Sequence, residues 1–438
     1  MRKILSVFFL IIILAYLAYS HGFLKDSEEE RDFDLNGYIR SLGYAGKRPL
    51  SNSGEIKSAY GEASLKFRAR KSGFGDAFAE IRFREGYEFK SEITEFNLRE
   101  AYVNIYAGKF DFRIGHQIVA WGRADGINPT DNITPKNMLI RSPEEDDRRE
   151  GNFLIRSFYN LLPLRLELVW IPSYRASVVP TELISFPKGI SLSKPQYPEA
   201  TFANSAFGLR ANFEFSWIDG SFSYFNGHNP FPGIASGTPI FTPQGLSLEI
   251  FLKSYRMHVF GLDFQTTIQK TYGLRGEFAC RIPHGDHKTE IHIPNPEIQL
   301  VLGIEKEFPQ DLSLIAQYVG KYVFKFEELR RPAELFLLPV YEIESKNRMI
   351  SSQLHRHSHS LFFRVGKALA HETMKIEFVS LFNVTSKEAM MRPEFTCEIT
   401  DDLNFTTGIE VFSGPDETLF GTIDSTLNSI FFQLKVHF

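Results

Sequence analysis

The sequence predicts an all-β chain: a single closed antiparallel transmembrane β-barrel of about eighteen strands, with sixteen as the other reading of the count. Three observations lead there. Segments of about ten residues alternate apolar and polar side chains, and the apolar set carries no Asp, Glu, Lys or Arg. The joints between them alternate short and long, and the last strand ends on an aromatic residue, Phe438. Composition excludes rivals. Lys+Arg 49 against Asp+Glu 53 leaves a formal charge of -4, which rules out nucleic-acid binding through bulk positive charge. A mean hydropathy of -0.18 rules out a bundle of membrane helices. Two cysteines cannot build a disulfide framework.

Taken in order, Arg2 and Lys3 precede an apolar run from Ile4 to Leu14, and Ala18-Tyr19-Ser20 supplies a small-x-small site. Residues 1–20 are therefore expected to be a signal peptide. The run is short for a spanning helix, which needs about 20 apolar residues. Residues 21–32 are expected to be a short periplasmic segment, with no plug domain, and 33–438 the barrel. Expected strands are 33–44, 58–70, 76–86, 96–106, 109–116, 152–159, 164–171, 205–217 and 221–226, then 254–267, 272–283, 297–307, 312–324, 359–368, 373–382, 393–400, 403–412 and 428–438. Leu65 and Phe67 face opposite to Lys66 and Arg68, and Ile430, Phe432, Leu434, Val436 and Phe438 opposite to Gln433 and Lys435. Several strands exceed the ~5–6 residues usual in soluble sheets. Short joints such as Ala107-Gly108, Ile218-Asp219-Gly220, Phe308 to Asp311 and Asp401-Asp402 read as periplasmic turns. Joints 117–151, 172–204, 227–253 and 325–358 read as extracellular loops.

Backbone groups in hydrocarbon must pair within the protein, so the sheet has to close. A ring of this size leaves a lumen too wide for its own side chains to fill. The inward set on the early strands includes Lys66, Arg68, Arg70, Arg82, Arg84, Lys109 and Arg113, mixed with Glu62, Glu80, Glu100 and Asp111. The loop from His116 to Gly151 contains Glu144, Glu145, Asp146 and Asp147. One reading folds this loop into the pore, its acids facing the basic wall as a constriction. The other leaves it solvated outside.

The same region carries a resemblance. Phe112-Arg113-Ile114-Gly115-His116-Gln117 is followed by Trp121-Gly122-Arg123-Ala124-Asp125-Gly126 and then Asn128-Pro129-Thr130-Asp131-Asn132; Asp146-Asp147-Arg148 and Trp170-Ile171-Pro172 continue it. These residues resemble a signature of poorly characterised porin-like outer-membrane proteins, similar in outline to the alginate-export porins. The resemblance implies a single-chain barrel engaged in transport. It marks Trp121, Gly122, Arg123, Asp125, Asn128, Pro129 and Asp131 as the motif loop.

Other features stay open. The apolar loops Ser177 to Leu192 and Phe231 to Leu252 read as packing on each other over the pore, or as a capture site for a hydrophobic solute. His355, His357 and His359 share one face, and His284, Asp286, His287 and His292 share a loop; such imidazoles suit Zn or Cu, or are polar loop tips. Cys280 and Cys397 fall on the apolar face as small apolar residues. No nucleophile elbow or phosphate loop stands out, so neither enzyme activity nor a cofactor or metal is expected. The expected function is a porin-like channel of the Gram-negative cell outer membrane for passive passage of a small or hydrophobic solute. The alternatives are a structural or interaction barrel and, behind it, an outer-membrane hydrolase. Expected partners are outer-membrane lipid, the barrel-assembly machinery (which would read Phe438), the solute, and a further copy of the chain in a homo-oligomer, with no nucleic acid.

Overall fold

The computed structural model describes residues 33–47, 53–71, 73–89, 91–181, 189–242 and 245–438. The expected signal peptide 1–20 and segment 21–32 lie outside the described residues. The strands, in chain order, are β1 (Phe33–Lys47), β2 (Gly54–Lys71), β3 (Gly75–Glu88), β4 (Ser91–Ala107), β5 (Phe110–Gln117), β6 (Asn152–Leu161), β7 (Leu164–Ile171), β8 (Ile190–Leu192), β9 (Ala206–Phe215), β10 (Ile218–His228) and β11 (Gly233–Ser236). They continue as β12 (Ile240–Thr242), β13 (Gly245–Lys253), β14 (Arg256–Ile268), β15 (Tyr272–Pro283), β16 (Glu297–Phe308), β17 (Leu312–Val323), β18 (His357–Leu369), β19 (Met374–Asn383), β20 (Glu388–Thr400), β21 (Leu403–Ser413) and β22 (Ser429–His437). Two helices join them, α1 (Leu338–Ile350) and α2 (Leu419–Leu427).

Eighteen of these strands form one antiparallel sheet. It closes because β1 pairs with β22, Tyr38 opposite His437 and Ala45 opposite Ile430. Phe438 completes the seam: its N–H donates to the Gly37 carbonyl and its own carbonyl accepts from the Gly37 N–H. The period-two pattern sorts side chains as expected. Ile39, Leu302, Phe363 and Leu434 are exposed on the outer surface, while Arg40, Glu62, Val301 and Gln433 are buried inside. The expected strands 33–44 and 221–226 are present as β1 and β10. Cys280 and Cys397 sit opposite outward residues, Phe260 and Met374.

Two expectations about joints need correction. The turn between β9 and β10 is Ser216-Trp217, and Asp219-Gly220 lies inside β10, paired with Glu214 and Phe213. Register explains this. A hairpin centred on Asp219 would turn Phe222 and Tyr224 into the lumen, because a one-residue slip flips every side chain of a strand. Gly220 instead leaves room for the Phe213 ring, which a Cβ there would approach to 2.5 Å. Nor do the joints alternate short and long throughout: β3–β4 and β19–β20 connect through 89–90 and 384–387 on the long-loop side. At the opposite end, Gln269-Lys270 and Gln310-Asp311 take positive φ in tight turns. Lys109 belongs, with Gly108, to the turn between β4 and β5 rather than to β5.

Two bulges place cations inside. The register of β3 with β4 shifts after Glu80 and leaves Arg99 as the extra residue; that of β1 with β2 shifts after Tyr44 and leaves Lys57. Both extra side chains are buried. A bulge re-aims one side chain without disturbing the pattern on either side.

Over the outer mouth, β11 and β12 pair with β13 antiparallel, and β8 pairs with it in parallel. Ile234, Leu248, Ile250 and Leu252 of this small sheet bury against Ile343 of α1. The two apolar loops therefore pack on each other, β8 from one and β11 to β13 from the other.

Candidate functional site: the inward-folded loop and the lumen

Residues 118–151, between β5 and β6, lie within the ring of strands and touch opposite walls. They form two lobes. The first, about residues 139–149, rests on β1 to β4 and on β21 and β22. Arg40 of β1 reaches Asp147 at 2.6 Å, and Arg82 of β3 reaches its other oxygen at 2.7 Å. Ser142 Oγ donates to the same carboxylate at 2.5 Å. Burial alone would push the Asp147 carboxyl up, but Arg40 and Arg82, with Ser142, hold it well below the usual carboxylate range. Lys435 of β22 binds Glu144 at 2.8 Å. Arg99, the bulge residue, donates to the backbone carbonyls of Asp146 and Arg149 at 2.6 and 3.2 Å. Arg141 crosses to Glu410 of β21 at 2.5 Å, and its carbonyl accepts from the Tyr60 hydroxyl at 2.5 Å.

The second lobe, about residues 121–132, rests on β14 to β18. Glu277 of β15 accepts from the backbone N–H groups of Arg123 and Ala124 and from the Thr130 hydroxyl. Arg123 binds Asp263 of β14 at 2.7 Å. Asp125 takes both Arg275 at 2.9 Å and Gln317 at 3.1 Å. Arg281 donates to the Pro129 carbonyl at 2.6 Å and to Asn132. Gly122 makes the sharp turn at φ +100, where a Cβ would lie 2.1 Å from the Asn128 amide and 2.5 Å from Glu277. Asn128 Oδ1 accepts from Thr130. Asp131 binds Arg149 at 2.7 Å and so ties the two lobes together. Trp121 is buried against Gly208 of β9. Each motif residue thus has a packing or pairing role in seating this loop.

The remaining predicted wall residues divide. Arg82 and Arg84 lie among acids, Arg84 with Glu88 at 2.9 Å. Lys66, Arg68 and Arg113 lie against rings instead: Lys66 is 6.0 Å from Tyr38, Arg68 5.4 Å from Phe78, and Arg113 4.4 Å from Tyr102. Such stacking is worth about 0.5–2 kcal/mol, and Arg113 also donates from Nε to Asn104 at 2.7 Å. Arg70 pairs with Asp34 at 3.0 Å near the short-turn end. Glu145 is exposed, and the Asp146 carboxylate pairs with its neighbour Arg149 at 3.0 Å.

Between the second lobe and the wall of β15 to β20 remains a cavity of about 580 Å3. Its floor and sides include Asn128, Asn132, Gln299, Ser358, Ser360 and Asn383; α1 and α2 contribute Asn347, Arg348 and Phe420 above. The sequence reading missed this wall. Ser358 and Ser360 alternate with His357 and His359 in an ordinary strand pattern, and nothing local marks them as facing an opening. His357 and His359 take the outward face, where Tyr318 shares a hydrogen bond with His359 and Tyr322 packs on His357. No group of three or more His, Cys, Asp or Glu able to hold a metal occurs among the described residues.

No protein-family model matches the chain, and no curated protein matches it. Solved structures do. The chain is similar to OccAB3 of Acinetobacter baumannii, with a TM-score of 0.55, 9% identity, and 93% of this chain and 99% of that one covered. It is similar to OccAB1 of the same organism, with a TM-score of 0.54, 7% identity, and coverage of 93% and 96%. It is also similar to OccK5 (OpdH) of Pseudomonas aeruginosa, with a TM-score of 0.52, 9% identity, and coverage of 93% and 97%. At such identities the likeness is one of architecture, and it spans nearly the whole of both chains: a closed antiparallel β-barrel of eighteen strands.

Proposed function

We propose that this chain is an outer-membrane channel through which a small solute crosses passively. One observation carries the reading: a closed barrel, apolar outside and polar inside, holds a loop folded across its own lumen and keeps a cavity of about 580 Å3 beside it. A scaffold that only displayed loops would have no use for that arrangement. The apolar outer band fits hydrocarbon, and a barrel of this kind reaches the outer membrane by export, the step the basic-apolar N-terminal run would direct. The motif resemblance to porin-like proteins, similar in outline to the alginate-export porins, agrees with transport and names no solute. Loop 118–151 narrows the lumen in this reading. Asp147 and Glu144 act as pins that neutralise Arg40, Arg82 and Lys435 on contact, which leaves Lys66, Arg68 and Arg113 as the cations a passing solute meets. Phe438 serves assembly by closing the seam.

Planar-bilayer recording of the purified full-length barrel tests the reading. Discrete conductance steps are expected, larger when loop 118–151 is unpinned. Folded, inserted protein that gives no steps would overturn the channel and favour an interaction barrel.

A further inference from the structure

We infer that the 580 Å3 cavity is a binding site for an uncharged, hydroxyl-rich solute of about disaccharide size, an inference that rests on the channel reading. Its volume lies within the ~300–1,000 Å3 typical of small-molecule sites. The chemistry of its lining is the argument. The charged side chains on it are engaged at short range, with two cations sharing one acid in two clusters and Glu388 held by neutral donors. Arg281 and Lys321 share Glu297, at 2.8 and 3.2 Å. Asp131 takes Arg149 and, at 3.6 Å, Lys136. Arg348 binds Glu344 at 2.7 Å. Glu388 accepts from Ser386 Oγ and from the Phe420 N–H. An ionic solute entering here would have to displace these contacts as well as shed its water.

The rest of the lining mixes amides and hydroxyls with ring and aliphatic side chains, Met257, Val319, Met349 and Leu381 among the aliphatic ones. Asn128, Gln299, Ser358 and Ser360 stand on one side, and Phe231 and Tyr255 on the other. Hydroxyl groups exchange hydrogen bonds with the former, while the C–H face of a sugar ring packs on the latter. The ring-stacked cations of β2 and β5 stand elsewhere in the lumen. A solute thus meets the recognition site on the outer side of the loop and those cations separately.

The test uses the full-length barrel in a planar bilayer, with maltose and its carboxylate analogue maltobionate as blockers of ion current. Maltose is expected to block saturably, with a half-saturating concentration at least tenfold below that of maltobionate. The double variant S358V/S360V should raise the maltose value at least tenfold, each channel being scored against its own open current. Glu297→Gln should reverse the preference, because Arg281 and Lys321 then lack their shared acid. Open current with tighter block by maltobionate in the unaltered barrel, or no saturable block by maltose, overturns this inference and leaves the channel standing. Absence of any current overturns the channel itself. Retained heat-modifiable migration on gels establishes that each variant has folded.

Discussion

At the scale of single residues, Asp147 is the side chain whose removal has the clearest consequence. It sits between Arg40, which is fully buried, and Arg82. Losing one partner of a buried pair leaves an uncompensated charge and costs about 3–5 kcal/mol. Arg40 keeps Glu62 at 2.8 Å, so Asp147→Asn should fall near the lower end, about 3 kcal/mol. Urea unfolding in lipid vesicles reads that loss, and single-channel conductance should rise as the first lobe loosens. The pH dependence has a definite sign. A carboxyl held below its ordinary value stabilises above that value and loses its effect only as pH falls toward the depressed one. The pin should therefore survive ordinary acidification to about pH 4. His292 behaves differently. Burial, and then Lys253, lower its pKa to about 4, so the folded loop holds it neutral while the unfolded chain takes up a proton first. Stability from His292 is present above about 6.5 and is lost as pH falls from there to about 4. Hydrogen exchange at the amides of 290–293 and 295 should quicken over that window, and His292→Asn should flatten the dependence.

At the scale of elements, the loop depends on backbone that only glycine supplies. Gly122 combines a left-handed φ with contact against Asn128 and Glu277. Gly122→Ala should cost about 1–3 kcal/mol in strain and displace Arg123 from Asp263. Thiol labelling of a cysteine at Ala124 should become faster in that background; unchanged labelling would mean the second lobe does not hinge on this turn. Strand existence was legible in sequence because period two survives in nearly every strand. The β9–β10 turn was misplaced for a definite reason. Asp-Gly carries turn chemistry in isolation, but the pairing of Ile218 with Phe215 keeps the aromatics outside, and that pairing is not a local property. The bulges at Arg99 and Lys57 were equally invisible, since an extra residue shows only against its neighbouring strand.

At the scale of the whole molecule, closure gathers the apolar faces of the strands into one outer band. Leu302 faces outward at the middle of β16. Leu302→Arg should destabilise the vesicle-inserted barrel by about 2–4 kcal/mol, as measured by urea titration. Closure also explains why the site was only partly legible. The motif residues 121–131 were marked by the resemblance and the acids 144–147 by loop length and charge, yet their partners Glu277 and Asp263 for the motif, and Arg40 and Lys435 for Asp147 and Glu144, lie more than a hundred residues away in sequence.

The sequence by itself determined that this chain is a membrane barrel and which face of each strand meets hydrocarbon, because a bilayer imposes the same two-residue alternation on every strand independently. Only the tertiary structure decided where the 118–151 loop goes, which cations it neutralises and which wall it leaves open. Those outcomes depend on side chains from distant strands meeting inside a closed ring, and a local pattern carries no record of such meetings.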